Sequence, residues 1–446
     1  MAATRQAIMG QGLPPEAPWV VFDFPLFLVD SDLTPIKQKF NEIVDALTKW
    51  QPRNNKKGVI NKSPVEISGS DHEDALARAN YMFLQNNWGD GLAMFPPTKK
   101  RVDWILRGTD HKRDETVGGG PGKVAPKAGI LTYEVLATCM AMAGGRPEYM
   151  PVAEAVCKTI IERQNSMMAS SGGAYQGICV NGPVARQIRM NSGFSLFGPD
   201  PNHPAGGAIG RCISLVLMNV GGYVAGQGTI AEYGEMRHTG LCFAENEENL
   251  PKGWTTFAED KYQRVKGTNS ATFFITFLGG LRPFQHRGFG NEPNFETEMQ
   301  ESFFRAVSVM KNVSQASHGP SPGMPGIMFY NSMICNNMAR IGWTKDKIRT
   351  HLAELLFVTP EEIRDRTDVQ RAAAAAKVDL SKLPARIPLM TDPRNINFVC
   401  AGGDHPSLAM WLAGVTLLGN VEIQLPTTWE DLLKQADQDL GLNPEV

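Results

Sequence analysis

Within ten residues this chain carries an imidazole, a thiol and two carboxylates: His238, Cys242, Glu245 and Glu247. Four residues apart, His238 and Cys242 share one face of any helix there, and a protonated imidazole beside the sulfur favours the thiolate. Glu245 or Glu247 is then placed to act as a general acid. The same spacing also suits ordinary packing and backbone hydrogen bonding, and Gly234 and Gly240 weaken a helix. Glu235-x-x-His238 has the i, i+3 spacing of a bundle metal pair, with His203 as a further ligand for one transition metal ion. No second Glu-x-x-His follows, so that constellation is incomplete. The expectation is a thiol mechanism with no cofactor, and Cys242 as the most reactive thiol. Cys139, Cys157 and Cys212 stand in apolar helical contexts, where desolvation raises the thiol pKa.

Groups that could hold a substrate surround this stretch. Gly206, Gly207 and Gly210 lead into a helical segment from Arg211, and free N–H groups at a helix start favour an anion. As a dinucleotide fingerprint the run fails, because Ala205 stands in the place of the first Gly. Trp88 and Asp90 lie in a tight Gly-bracketed turn, which is expected to border one pocket with the Glu245 knot. Asn181 ends a short strand. Cys400 closes another, followed by Gly402, Gly403 and His405. Asp404 is expected to cap a helix running to Leu418, which would make this a strand, turn and helix start of the kind that binds ligands.

These residues need a scaffold, and the 446-residue chain is long enough for two hydrophobic cores. Helical spacing over 71–87, 132–143, 149–163, 332–341 and 344–357 is interleaved with apolar runs at 178–180, 271–278, 327–330 and 396–400. The fold class expected is α/β: two α/β domains with mixed sheets and an N-terminal extension. The boundaries fall at 1–70, 71–280 and 281–446. Apolar residues make up 42% and charged residues 20%, with a net charge of −2. That gives no electrostatic case for nucleic acid, and no apolar stretch is long enough for a membrane span. Seven scattered Cys and the absence of a signal-peptide pattern point to reduced thiols in the cytoplasm.

Several phrases together resemble one family. They are Trp88-Gly-Asp-Gly-Leu with Pro96-Pro-Thr98, Arg146-Pro-Glu-Tyr149, Val180-Asn-Gly-Pro183, Ile209-Gly-Arg211, Asn219-Val-Gly-Gly222, Cys242-Phe-Ala-Glu-Asn-Glu-Glu248, Gly342-Trp-Thr-Lys345 and Ala401-Gly-Gly403. The pattern, over roughly residues 85–418, is similar to the large bacterial proteins fused to, or encoded beside, small thioredoxin-like UGSC proteins. In that partner a Cys or selenocysteine heads a Gly-Ser-Cys motif. Two departures stand out: Asp404-His405-Pro406-Ser407 replaces the family's usual Lys/His-Ser ending, and no Cys-Gly-Ser-Cys occurs here. The resemblance implies a catabolic, thiol-dependent enzyme of two components, with the UGSC-type protein as a separate chain.

The expected function is therefore thiol-dependent turnover of a small organic molecule, reductive or bond-cleaving, by a homo-oligomer working with such a partner. The alternatives are a metal-dependent hydrolase or lyase using Glu235 and His238, and a non-catalytic subunit that shapes a partner's active site. The last predicts that the His238, Cys242 and Glu245 side chains point apart or into packed core.

Overall fold

A computed structural model describes residues 18, 20–21, 32–50, 64–163, 173–198, 200–224, 228–229, 231, 240–277, 280–286, 295–318, 325–405 and 407–443. In the N-terminal extension, α1 (Thr34–Gln38) and α2 (Phe40–Thr48) bury no residue. The body begins with α3 (His72–Asn86), whose N-cap Asp71 accepts from Asp74 N. Next, α4 (Lys99–Ile105) and α5 (Tyr133–Met142) start where Thr98 and Thr132 cap them, as their sequences require. Between these helices lies a small ribbon of β1 (Lys123–Val124) and β2 (Gly129–Ile130).

The first half continues with α6 (Met150–Arg163), β3 (Ala174–Asn181), α7 (Val184–Gln187), α8 (Ala205–Val216), β4 (Leu241–Ala244), α9 (Phe257–Tyr262) and β5 (Ser270–Phe277). The second half runs from β6 (Leu281–Gln285) through α10 (Phe295–His318), β7 (Gly326–Tyr330), α11 (Ser332–Arg340) and α12 (Lys345–Leu355). After the minor pieces β8 (Phe357–Val358), α13 (Pro360–Ile363), α14 (Thr367–Ala376) and β9 (Ile387–Pro388) come β10 (Ile396–Cys400), β11 (Leu408–Ala413), β12 (Val415–Glu422) and α15 (Trp429–Leu440). Among the described residues no helix is long and apolar enough to cross a membrane.

Two mixed four-stranded sheets form the centre, in the orders β4-β3-β5-β12 and β10-β7-β11-β6. Each has one parallel pair, β3 with β4 and β7 with β10, followed by two antiparallel neighbours. The chain is an α/β fold built as two topologically equivalent halves. Strand alternation decides what each side chain meets. Tyr175, Cys179, Phe243 and Phe274 of the first sheet share one buried cluster with Ile327, Phe329, Val399 and Leu412 of the second. Their alternate neighbours, Ile178 and Phe273 or Met328 and Phe398, belong to separate helix-covered cores. The layers are thus helix, sheet, sheet, helix.

The halves exchange their last strands. β6 follows β5 along the chain but pairs with β11, and β12 follows β11 but pairs with β5. The exchange occurs where Ala413 N donates to Gly280 O (3.1 Å), so tightly that a Cβ on Gly280 would lie 2.6 Å from Ala413 O. Gly414, with φ +66°, turns the second strand across. The expected 281–446 unit is accordingly not kept together: β12 completes the first sheet. The α15 helix also returns to the first half, where Asp439 and Asp437 pair with Arg146 and Arg189.

The segment after Cys400 departs from its expected structure. No helix runs to Leu418; Leu408–Ala413 and Val415–Glu422 are strands. Leu412 buries between the sheets while Ala409, Trp411 and Ala413 bury against helices, so this strand is covered on both faces. Asp404 caps nothing there and instead accepts from Ser332 Oγ.

Candidate functional site

Equivalent positions in the halves locate the site. Val180 opposite Ala244 matches Tyr330 opposite Cys400, so Asn181 and Asn331 are counterparts, as are Glu245 and Ala401, and Glu247 and Gly403. The backbone repeats the match: Glu245 N donates to Val180 O (3.2 Å) and Ala401 N to Tyr330 O (3.0 Å). Both parallel pairs end here, and the carboxyl ends of parallel strands are where α/β sheets bind ligands.

In the first half the space is filled. Glu245, only 4% exposed, accepts through Oε2 from Phe257 N (2.6 Å) and Asn181 Nδ2 (2.8 Å), and through Oε1 from Cys400 N (3.3 Å). Glu247 Oε1 accepts from the same Asn181 amide (2.7 Å) and from Gly182 N (2.8 Å). Burial raises the Glu245 carboxyl, while the Lys345 ammonium and these donors oppose the rise. Asn246 N donates to Cys400 O (2.7 Å), completing a tie between the halves. Four sequence-selected residues, Asn181, Glu245, Glu247 and Cys400, therefore meet, but as a closed knot.

In the second half, with Ala401 and Gly403 in place of the carboxylates, a cavity of about 560 Å³ opens. Gly402, Gly403 and His405 line it, facing Phe197, Phe329 and Met410. Two buried amides shape its rim. Asn331 Nδ2 donates to Gly403 O (2.8 Å) and His405 O (2.7 Å), and its Oδ1 caps α11 at Ile334 N (3.0 Å). Asn191 Nδ2 donates to Phe194 O (2.8 Å) and its Oδ1 accepts from Gly193 N (2.8 Å). The two loops are joined by Gly402 N donating to Ser192 O (2.9 Å). Ser195, at the cavity edge, adopts φ +56°, a costly conformation for a residue with a side chain. His405 Nδ1 and Ser407 Oγ are 2.7 Å apart, so an exposed imidazole and a hydroxyl stand hydrogen-bonded at the mouth. Phe194, Ser195, Phe197, Asn331 and Ser407 were not selected from the sequence. The Asn-Ser-Gly-Phe-Ser run and the shared Asn after β3 and β7 were the available signals.

The other selected residues are placed elsewhere. Cys242 lies on a strand, not a helix, and is 8% exposed, with burial pushing its thiol well up. Burial dominates equally at Cys139, pushed up to about 12, and at Cys157, Cys179 and Cys212, so Cys242 has no advantage over them. Cys400 is raised by its hydrogen bond with Cys335 and then by burial. Glu235 and His238 lie outside the described residues. His203 Nδ1 sits 2.5 Å from Asp200 Oδ2, and among the described residues no three His, Cys, Asp or Glu side chains cluster to hold a metal.

Gly206, Gly207 and Gly210 do not form a turn ahead of a helix. The α8 helix already starts at Ala205, with Pro204 as its N-cap residue, and its small residues allow close packing. A Cβ on Gly206 would lie 2.5 Å from Cys242 O, and Gly210 O accepts from Gln176 Nε2 (3.4 Å). Arg211 and Asp90 do meet, in a two-toothed pair at 2.7 and 3.0 Å that consumes both charges. Trp88 borders a different, larger cleft, and Glu245 lines neither cavity, so neither is the expected shared pocket.

No family model, no curated protein and no solved structure matches this chain significantly.

Proposed function

We propose that this chain is the substrate-holding component of a two-component, thiol-dependent enzyme. A small organic molecule occupies the cavity between Phe194–Gly198 and Ala401–His405, and the reactive thiol comes from a small UGSC-type thioredoxin-like protein. The observation that carries this reading is the cavity itself. It opens at the carboxyl ends of the β7/β10 pair, where the counterpart site in the other half is plugged by Glu245 and Glu247. Its aromatic wall suits an apolar or planar body, and His405 hydrogen-bonded to Ser407 supplies an acid–base pair at the entrance. All seven Cys are buried, which supports a thiol delivered from outside the chain.

The test is alkylation of the native protein with limiting iodoacetamide near neutral pH, followed by peptide mapping. All seven thiols should label far more slowly than in the unfolded chain. Turnover on adding the thiol partner should survive Cys242→Ser and fail with His405→Ala. Rapid, selective labelling of Cys242 would return the nucleophile to this chain.

A further inference from the structure

A second site lies among the helices of the first half, and its key residue is a cation with no counter-ion among the described residues. The α4 helix buries Val102 and Ile105 against the core, which turns Arg101 toward a cleft of about 1000 Å³. Trp88, Phe95, Trp104, Phe83 and Met142 are among the residues of its wall. The Arg101 guanidinium sits over the Phe95 ring at 4.5 Å and near the Trp104 ring at 5.9 Å.

Arg101 differs from its neighbours. Arg146 is held by Glu148 (2.5 Å) and Asp439 (2.8 Å), and Arg211 by Asp90. Among the described residues Arg101 has no ion pair, and its Nε is buried with no hydrogen-bond partner. No Asp or Glu is among the described residues that line the cleft, whereas His72 and Lys100 add basic groups. Burial, and then the Arg146 charge, both pull the Arg101 pKa down, as expected for a cation lacking a partner.

A guanidinium on an aromatic face at the wall of an apolar cleft, with no carboxylate among the described lining residues, is an arrangement suited to a planar anion. Arginine is weakly hydrated and grips carboxylates with two parallel hydrogen bonds. We propose that this cleft binds a small organic carboxylate, its head group on Arg101 and its apolar body against Trp88 and Phe83. The cleft shares no lining residue with the cavity at His405, so this site goes beyond the function proposed above. Asn219, which donates to Trp88 O (3.3 Å), and Cys139 lie on the same wall.

The experiment titrates the full chain with 4-phenylbutyrate and with its uncharged amide, following Trp fluorescence and heat. The acid should bind at least about tenfold more tightly than the amide, since one charge-assisted pair is at stake. Arg101→Met should bring the two affinities together, while Arg101→Lys, which keeps a point charge but loses the fork, should retain part of the preference. The acid–amide comparison on the unaltered protein stands even if Arg101→Met proves unstable. Equal affinity for acid and amide, no binding of either, or an undiminished preference in a folded Arg101→Met would each overturn the proposal.

Discussion

The two halves share strand order, sense and end-of-strand hydrogen bonds, yet one is sealed and the other open. At the end of β3/β4, Asn181 is spent on the carboxylates of Glu245 and Glu247. At the end of β7/β10, Asn331 is spent on the backbone of a glycine loop, and a cavity remains. A second difference lies one strand away. Ile423 N donates to Asn269 O in the first half, as His286 N donates to Ser407 O in the second, so Ile423 and His286 are counterparts. Ile423 is an apolar core residue, but His286 is 2% exposed and neither ring nitrogen has a hydrogen-bond partner among the described residues. The lesson is that one framework carries stability in one half and tolerates an unsealed, titratable interior in the other.

Substitution can break this comparison in four ways. Glu245→Ala makes the first half imitate the second at position 401, but strands the donors of Phe257, Asn181 and Cys400. We expect a loss of about 3 kcal/mol or more, read by chemical denaturation. A loss below about 1 kcal/mol would mean that the knot does not hold the sheets together.

The second test concerns pH. Burial holds the His286 imidazole down at about 4, against an ordinary value of 6.5. The ring is neutral when folded and protonates first when unfolded, so its stability contribution is present above pH 6.5. It is lost as pH falls from 6.5 toward 4, by about 3 kcal/mol in all. His286→Ile should flatten this part of the stability–pH curve; an unchanged slope would place the acid sensitivity elsewhere.

Asn331→Ala removes a helix cap and two loop hydrogen bonds, and should cost about 2 kcal/mol. It should also raise hydrogen exchange at Gly402–His405, whereas Asn181→Ala should leave exchange there unchanged. The smallest effect is expected for Gly403→Ala. Its Cβ would meet the Phe194 ring, which is largely exposed and can swing aside, so about 1 kcal/mol suffices. Narrowing of the cavity should nevertheless weaken small-molecule binding more than it lowers the melting temperature.

Local chemistry was determined by the sequence alone. Thr98, Thr132 and Thr344 cap the helices they precede, and the apolar runs ending at Val180, Tyr330 and Cys400 are strands. These outcomes rest on hydrogen bonds and periodicity within a few residues, which neighbours in sequence decide. Helical and extended forms of Leu408–Leu418 are not separable in that way, because the strands it pairs with lie more than eighty positions away in the sequence. Asn181, Glu245, Glu247 and Cys400 were each recognisable as chemistry-bearing residues. Whether they formed an open site or a sealed knot depended on the register of β4 against β3 and on the approach of β10. Cys242 shows the same limit: its spacing from His238 promised a reactive thiol, and only the strand that carries it into the core set its solvation. Solvation sums over every surrounding chain segment, so it was decided by the tertiary structure.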